Sequence, residues 1–407
     1  MRIAVTGLGV VSPAALGEEE LAEALASGRS GIAPAGAPPE GQPQLLTLAA
    51  RVPADFGQRR EITANAIRRM PRLTQMTVVA AKQALRAAVG GDAQAALPYA
   101  AERTGVVLGT GLGTLGETLD FVLGYLKDGV EAASPTVFPV SVMNAPAGQL
   151  AVELKLKGVN TTVNHRDHSP LSAVGMACDL LELGRADALL VGGIDELSYP
   201  VEHVMVKLGR VSSTALRPYD VARDGLVPGE AATVLLLERE EDARRRGARV
   251  RAVIVGRGET SEARPRVGWG HAPRWPEAER AVAQALAVGD PARISWIAGA
   301  GNGTVLDQHE LATLRAAFAA AGAPMAPISS ITGQSGDSFS TGMLRIAAAV
   351  VGIDRGLMPG TVGLERPIAG FEDVVVKRAR RTTLDRVLVP SFAQGGANLA
   401  LVVSAPN

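Results

Sequence analysis

Along the chain, short apolar runs end in glycine turns and alternate with stretches in which apolar residues recur at helical spacing. The runs "RIAVTGLG" (2–9), "TGVVLGTGLG" (104–113), "ALLVGGID" (188–195), "ISWIAGAGNG" (294–303) and "RVLVPSFAQGG" (386–396) are short and apolar at consecutive positions. Consecutive apolar positions place hydrophobic side chains on both faces, so these runs predict buried strands. Helical spacing predicts helices over 19–27, 73–90, 170–184, 276–287, 308–321 and 340–355. Strands alternating with helices predict an α/β protein of mainly parallel strands with covering helices. Segments 31–44 and 260–278, rich in Pro, Gly and Arg, read as loops.

The pattern repeats. "ERTGVVLGTGLGT" (102–114) and "ARISWIAGAGNGT" (292–304) are each strand, glycine turn, helix, and a second such unit follows each. Between the halves, "EREEDARRRGARVR" (238–251) reads as a solvated helix and loop. A boundary near 245 divides the chain into lobes 1–245 and 246–407.

Composition narrows the functions. A chain of 407 residues can bury two cores. Lys plus Arg and Asp plus Glu balance at 41 each, so bulk charge makes no case for nucleic acid or an anionic membrane. Scarce aromatics argue against base-stacking platforms. The opening Met-Arg-Ile-Ala-Val-Thr-Gly has no signal-peptide pattern, and no apolar run is long enough to predict a membrane span. A single cysteine, Cys178, excludes an internal disulfide framework and fits a reducing cytoplasm.

Two stretches and a lone cysteine carry candidate chemistry. "GLGTLG" (111–116) has the G-x-G-x-x-G form of a dinucleotide turn, but no second strand ending in an acidic residue follows at the right distance. A tight turn with close helix–strand packing is the plainer reading. "NHRDHSPL" (164–171) holds two of the five histidines at a strand-to-helix joint. His165, Asp167 and His168 have metal-donor atoms, yet no other His or Cys lies near in sequence, and no metal is expected. Ser169-Pro170 suits a helix start, with serine as N-cap, and Asp167 then lies at the positive end of the helix dipole. Enzymes place thiolate nucleophiles at such helix ends, so the joint is a nucleophile position holding a carboxylate. Cys178 lies roughly 16 Å further along the helix among Met176, Ala177, Leu180 and Leu181, and reads as buried and structural.

Several motifs together resemble the β-ketoacyl-ACP synthases of the thiolase superfamily, over essentially the whole chain. They are "VTGLGVVSPAALG" with "LASGRSGI", "SPTVFPVSVMNAPAGQLAVELKLKGVN" (134–160), "GRADALLVGGIDELS" (184–198), "RPYDVARDGLVPGEAATVLLLEREEDARRRGARV" (217–250) and "SFAQGGANLALVVS" (391–404). The resemblance implies a thiolase-like fold of two duplicated lobes in a layered αβαβα architecture. It also implies a Cys nucleophile and two His, none of which stands at its expected place. Asp167 falls on the Cys position, Asn302 and Asp337 on the His positions, Thr332 on a usual Lys, and Gln394 on a gating Phe. A carboxylate is a weak nucleophile toward a thioester. Asn302 cannot shuttle a proton as His does, and an ionised Asp337 would repel a developing oxyanion.

Within the family this pattern is similar to the chain-length factor of type II polyketide systems. The resemblance implies a catalytically silent subunit without a cofactor, paired with an active ketosynthase or with itself and serving acyl carrier protein. Its interface would include 134–150 and the strand before Asp167. A helix over 116–127 would line the acyl tunnel with Leu119, Phe121, Val122 and Tyr125. The alternative is a repurposed enzyme that hydrolyses, transfers or cyclises a carrier-bound chain in a polar pocket of His165, Asp167, His168, Asn302, Asp337 and Gln394.

Overall fold

The computed structural model describes residues 2–59, 70–90, 97–263, 275–393 and 395–406. Among them, ten strands form one continuous sheet. They are β1 (Ile3–Val11), β2 (Thr104–Gly109), β3 (Asn160–Val163), β4 (Ala188–Asp195), β5 (Ala231–Arg239), β6 (Ala252–Ser261), β7 (Ile294–Ala298), β8 (Ile328–Ser329), β9 (Arg386–Phe392) and β10 (Ala397–Ser404). Their spatial order is β8-β7-β9-β10-β6-β1-β5-β4-β2-β3.

That order exposes the duplication. Counted outward from the centre, each half runs first, fifth, fourth, second, third strand. Directions repeat as well. In each half the first–fifth and fifth–fourth pairs are antiparallel, and the fourth–second and second–third pairs are parallel. The halves join through a short antiparallel pairing of β1 with β6, from Ile3↔Ile254 to Val5↔Ala252.

Nine helices of the described residues complete the layers: α1 (Glu18–Ser27), α2 (Arg72–Val89), α3 (Leu115–Asp128), α4 (Ala145–Glu153), α5 (Ser169–Glu182), α6 (Tyr199–Lys207), α7 (Pro276–Gly289), α8 (Leu306–Ala320) and α9 (Thr341–Arg355). α5 follows β3 and α9 follows β8, the same place in each half. α9 packs on β1, β4 and β5 of one half and on β7, β9 and β10 of the other, and α5 packs beside it. Every residue of α9 from Thr341 to Gly352 is buried. A helix that is apolar nearly all round has no solvent face to offer, so it becomes a central layer. On the outside, α2 covers β1, β5 and β4, while α7, flanked by α8, covers β6, β10 and β9. The result is a helix–sheet–helix–sheet–helix stack, and its sandwiched strands are accordingly apolar on both faces.

Close approach of strand and outer helix depends on glycine at equivalent places. A β-carbon on Gly9 would lie 1.8 Å from the carbonyl oxygen of Ala80 in α2, and one on Gly258 would lie 1.9 Å from that of Ala281 in α7. Both contacts are with backbone, which cannot swing aside.

Four expectations need correction. The sheet is mixed rather than mainly parallel, with five antiparallel and four parallel pairings between its neighbouring strands. The charged stretch 238–251 is not simply solvated. Arg251 is buried and pairs with both Glu18 and Asp354, and buried Glu238 is paired by Arg246. Each arginine thus ties β5, β6 or the short helix Glu240–Arg245 to its surroundings. The loop at 31–44 contains the strand Ile32–Pro34, paired with Leu48–Ala50. At 260–278, β6 runs on to Ser261 and α7 begins at Pro276, while 264–274 lie outside the described residues. No helix of the described residues is long and apolar enough to cross a membrane.

Replacing Gly9 or Gly258 by Ala is expected to cost about 1–3 kcal/mol each through overpacking. Gly148→Ala, where a β-carbon meets nothing within 4 Å, should cost nothing. Chemical denaturation of the three variants checks this.

Candidate functional site

The parallel strands β2, β3, β7 and β8 end on one side of the molecule, and the turns beyond their carboxyl ends build the site, as expected of α/β sheets. After β2, the turn Thr110–Thr114 carries the G-x-G-x-x-G pattern. Its donors are already taken. Buried Asp195, at the end of β4, accepts from the Thr110 hydroxyl at 2.9 Å and from the Gly111 and Leu112 amides at 3.1 and 2.9 Å. A phosphate would need those same amides, so this turn is a carboxylate-braced corner and not a dinucleotide loop. Burial pushes the Asp195 carboxyl up to about 7, against the pull of these donors.

After β3 the chain makes a tight elbow. Arg166 has φ 53°, a left-handed conformation rare for a side chain of this length. A single 3₁₀ turn, Arg166–His168, leads into α5. Ser169 is therefore not the N-cap, as expected from sequence. Its backbone is already helical, and His168 holds the cap position. The Ser169 hydroxyl instead accepts from the His165 amide at 2.8 Å and lies within bonding distance of the Thr110 and Arg166 carbonyls, stitching the elbow to the β2 turn.

After β7, Asn302 lies between two acids. Its side-chain amide donates to Asp337 at 2.8 Å, and its backbone amide donates to Asp307 at 2.8 Å. Asp307 also accepts from the Tyr219 and Gly303 amides. After β8, Asp337 is held through its backbone: its amide donates to the Val227 carbonyl, and its carbonyl accepts from the Gly229 amide, each at 2.8 Å.

These turns enclose a cavity of about 430 Å³. Asp167, Asn302 and Asp337, from three separate turns, all line it. Leu112, Leu226, Leu306 and Phe339 give it apolar walls. Enclosure raises the Asp337 carboxyl to about 7; Asp167 adds to the rise, while Asn302 and Arg345 oppose it. The Asp307 carboxyl is likewise pushed up to about 7, by burial.

Other expected site residues lie elsewhere. His168 is fully buried behind the lining, with Nδ1 3.4 Å from the Ser391 hydroxyl. Burial drives its imidazole down to about 3, so it is neutral near pH 7. His165 is exposed, and its Nδ1 lies 3.0 Å from the Ser172 hydroxyl. Buried Thr332 donates to the Gly301 carbonyl at 2.6 Å, which shapes the turn that carries Asn302. Leu119, Phe121, Val122 and Tyr125 lie on α3, which has no buried residue; Phe121 packs against Phe138 in a tilted arrangement with ring centroids 5.5 Å apart. Gln394 lies outside the described residues. Among the described residues, no group of three His, Cys, Asp or Glu is placed to hold a metal. Cys178 is buried, its thiol pushed up to about 12 by desolvation, and so is inert as a nucleophile.

Sequence reasoning missed Arg345, which lines the cavity from the buried stretch Thr341–Gly352 of α9. Its Nη1 donates to the Ala298 and Pro390 carbonyls at 3.1 and 2.6 Å. A lone charge inside "TGMLRIAAAVVG" was the available signal. Asp195, Asp307 and Glu310 were also missed.

Residues 1–243 match the family model described as β-ketoacyl synthase, N-terminal domain. The chain is 30% identical to a provisionally named polyketide β-ketoacyl synthase 1 of Streptomyces virginiae, across 99% of this chain and 98% of the relative. It is 29% identical to a 3-oxoacyl-(acyl-carrier-protein) synthase 2 of Coxiella burnetii, with the same coverage. Two solved structures superpose over the full length of this chain. The ishigamide ketosynthase/chain length factor has a TM-score of 0.88 and 25% identity over 99% of its own chain. A β-ketoacyl synthase from Burkholderia phymatum has a TM-score of 0.85 and 26% identity over 100% of its own chain.

A carboxyl that titrates near 7 when folded and near 4 when unfolded holds more proton in the folded state between those values. Stability therefore falls as pH rises through that window. Asp337→Asn removes one such group, so its denaturation midpoint should fall less between pH 5 and 8 than that of the parent chain.

Proposed function

The chain belongs to the β-ketoacyl synthase family, and from that premise we propose that it is a catalytically silent, chain-length-factor-like subunit. It pairs with an active ketosynthase of a type II polyketide or fatty-acid system and shapes the acyl tunnel between them. One observation carries this reading. Asp167, Asn302 and Asp337, which the resemblance aligns with a Cys and two His, gather at one cavity beside the left-handed elbow at Arg166. An acyl group on a carboxylate would be an anhydride, prone to hydrolysis, and neither Asn302 nor an ionised Asp337 can replace the histidines. A similar solved structure is described as a ketosynthase/chain length factor, which supports the pairing.

The surface offers a place for a partner. β3 is the outermost strand of its half and pairs on one side only, with β2. An unpaired edge is a template for another strand. Beside it the chain exposes Phe138 (57%), Met143 (47%) and Val142 (40%). Along α3 and beyond it, Tyr125, Leu126 and Val130 are exposed too. Exposed apolar groups gathered at a sheet edge suit a protein interface. Leu119, Phe121, Val122 and Tyr125 would then line or plug the shared tunnel, and acyl carrier protein would deliver the chain.

A second reading rests on Asp337, whose carboxyl titrates near 7 in the same cavity as Asp167. Such a pair can take and give a proton during hydrolysis or cyclisation of a carrier-bound chain. Asp167→Asn separates the two: product formation by the paired complex persists if the subunit is silent and stops if Asp167 takes part.

Co-expression with an active ketosynthase from the same organism, one that retains its Cys and two His, should yield a heterodimer by size-exclusion chromatography with light scattering. Phe138→Asp should abolish pairing while leaving the circular dichroism spectrum unchanged. A stable homodimer that ignores the ketosynthase would refute the pairing.

A further inference from the structure

The cavity has apolar walls but a floor unsuited to hydrocarbon. Asp167, Asn302 and Asp337 face it from three turns. Arg345 faces it from α9 and is only 4% exposed. The arginine's Nη1 is committed to the Ala298 and Pro390 carbonyls, while its Nε is buried with no hydrogen-bond partner among the described residues. The floor thus offers carboxylate acceptors and amide and guanidinium donors side by side, beneath walls of Leu112, Leu226, Leu306 and Phe339.

An alkyl end pressed against this floor would strip water from these groups and return no hydrogen bonds. Leaving buried polar groups without partners is costly. The lining mixes acids (Asp167, Asp307, Glu310, Asp337) with arginines (Arg166, Arg210, Arg345), so a carboxylate or an ammonium end meets repulsion as well as attraction. A hydroxyl satisfies both kinds of partner, donating to a carboxylate and accepting from an amide or guanidinium.

We propose that this chain's own cavity binds acyl chains bearing a hydroxyl at the buried end in preference to plain alkyl chains. The inference rests on reading the chain as an acyl-binding member of the β-ketoacyl synthase family. It adds a binding role for the altered site itself, apart from the tunnel shared with a partner.

The test uses the chain in whatever assembly it purifies. Amide analogues of N-acetylcysteamine thioesters carry hexanoyl, 6-hydroxyhexanoyl, 6-aminohexanoyl or adipoyl groups, so no acyl transfer occurs during calorimetric titration. The hydroxylated analogue should bind at least about tenfold more tightly than the other three. Asp337→Leu should reverse the order in favour of hexanoyl. If that variant does not fold, Asp167→Leu should shift the preference the same way. Equal or tighter binding of hexanoyl by the parent chain overturns the inference. So does tightest binding of the amine or the acid, a preference indifferent to these substitutions, or no binding at all. Sizing of the same samples keeps the two claims apart. A heterodimer without this selectivity sinks only the inference, and a selective chain that never pairs sinks only the subunit reading.

Discussion

The site depends on the packing of α5 against α9 between the two half-sheets. α5 follows the parallel strand β3 through one 3₁₀ turn, and α9 follows the parallel strand β8 after the short helix Thr332–Ser335; Asp167 lies just before α5 and Asp337 just before α9. Their close crossing needs small residues. A β-carbon on Gly342 would lie 2.7 Å from the Leu171 side chain, and one on Gly193 would lie 2.5 Å from Met343. The Leu171 methyl ends a flexible side chain and can shift, but the Met343 β-carbon is fixed to the α9 backbone and cannot. The same crossing that fills the core therefore brings residues 167 and 337, far apart in the chain, to one cavity.

The elbow holds Arg166 in a left-handed conformation, Asp195 braces the β2 turn, and Asp307 braces the β7 turn. Backbone strain of this kind persists where the surroundings over-determine it. Here it presents a carboxylate that has no use for an activated elbow. The interior instead holds several acids near neutrality with one buried arginine among them. Such a floor is electrostatically costly, and the partial protonation of its carboxyls lowers that cost.

Much of this architecture was legible in the residues. Consecutive apolar positions marked the strands, and the repeated strand–glycine–helix unit marked the duplication. The substituted positions could be placed because family motifs flank them. Long-range partners were not legible. Nothing local says that Asp195 braces the turn at Gly111, 84 residues away, or that Arg251 joins Glu18 to Asp354. Periodicity also places residues on faces without saying which face meets a cavity. His168 looked like a pocket residue because it adjoins Asp167, but the 3₁₀ turn between β3 and α5 directs it into the core. Ser169 reads as a cap because Ser-Pro suits a helix start, but that turn places helical backbone upstream of it.

The central claim is that this chain carries no acyl group while its partner does. Intact-protein mass spectrometry of the complex, after incubation with an acyl thioester of carrier protein, tests it directly. The account predicts an acyl-sized mass gain on the ketosynthase alone, with this chain unmodified. An acyl adduct on this chain, lost on Asp167→Asn, would contradict it.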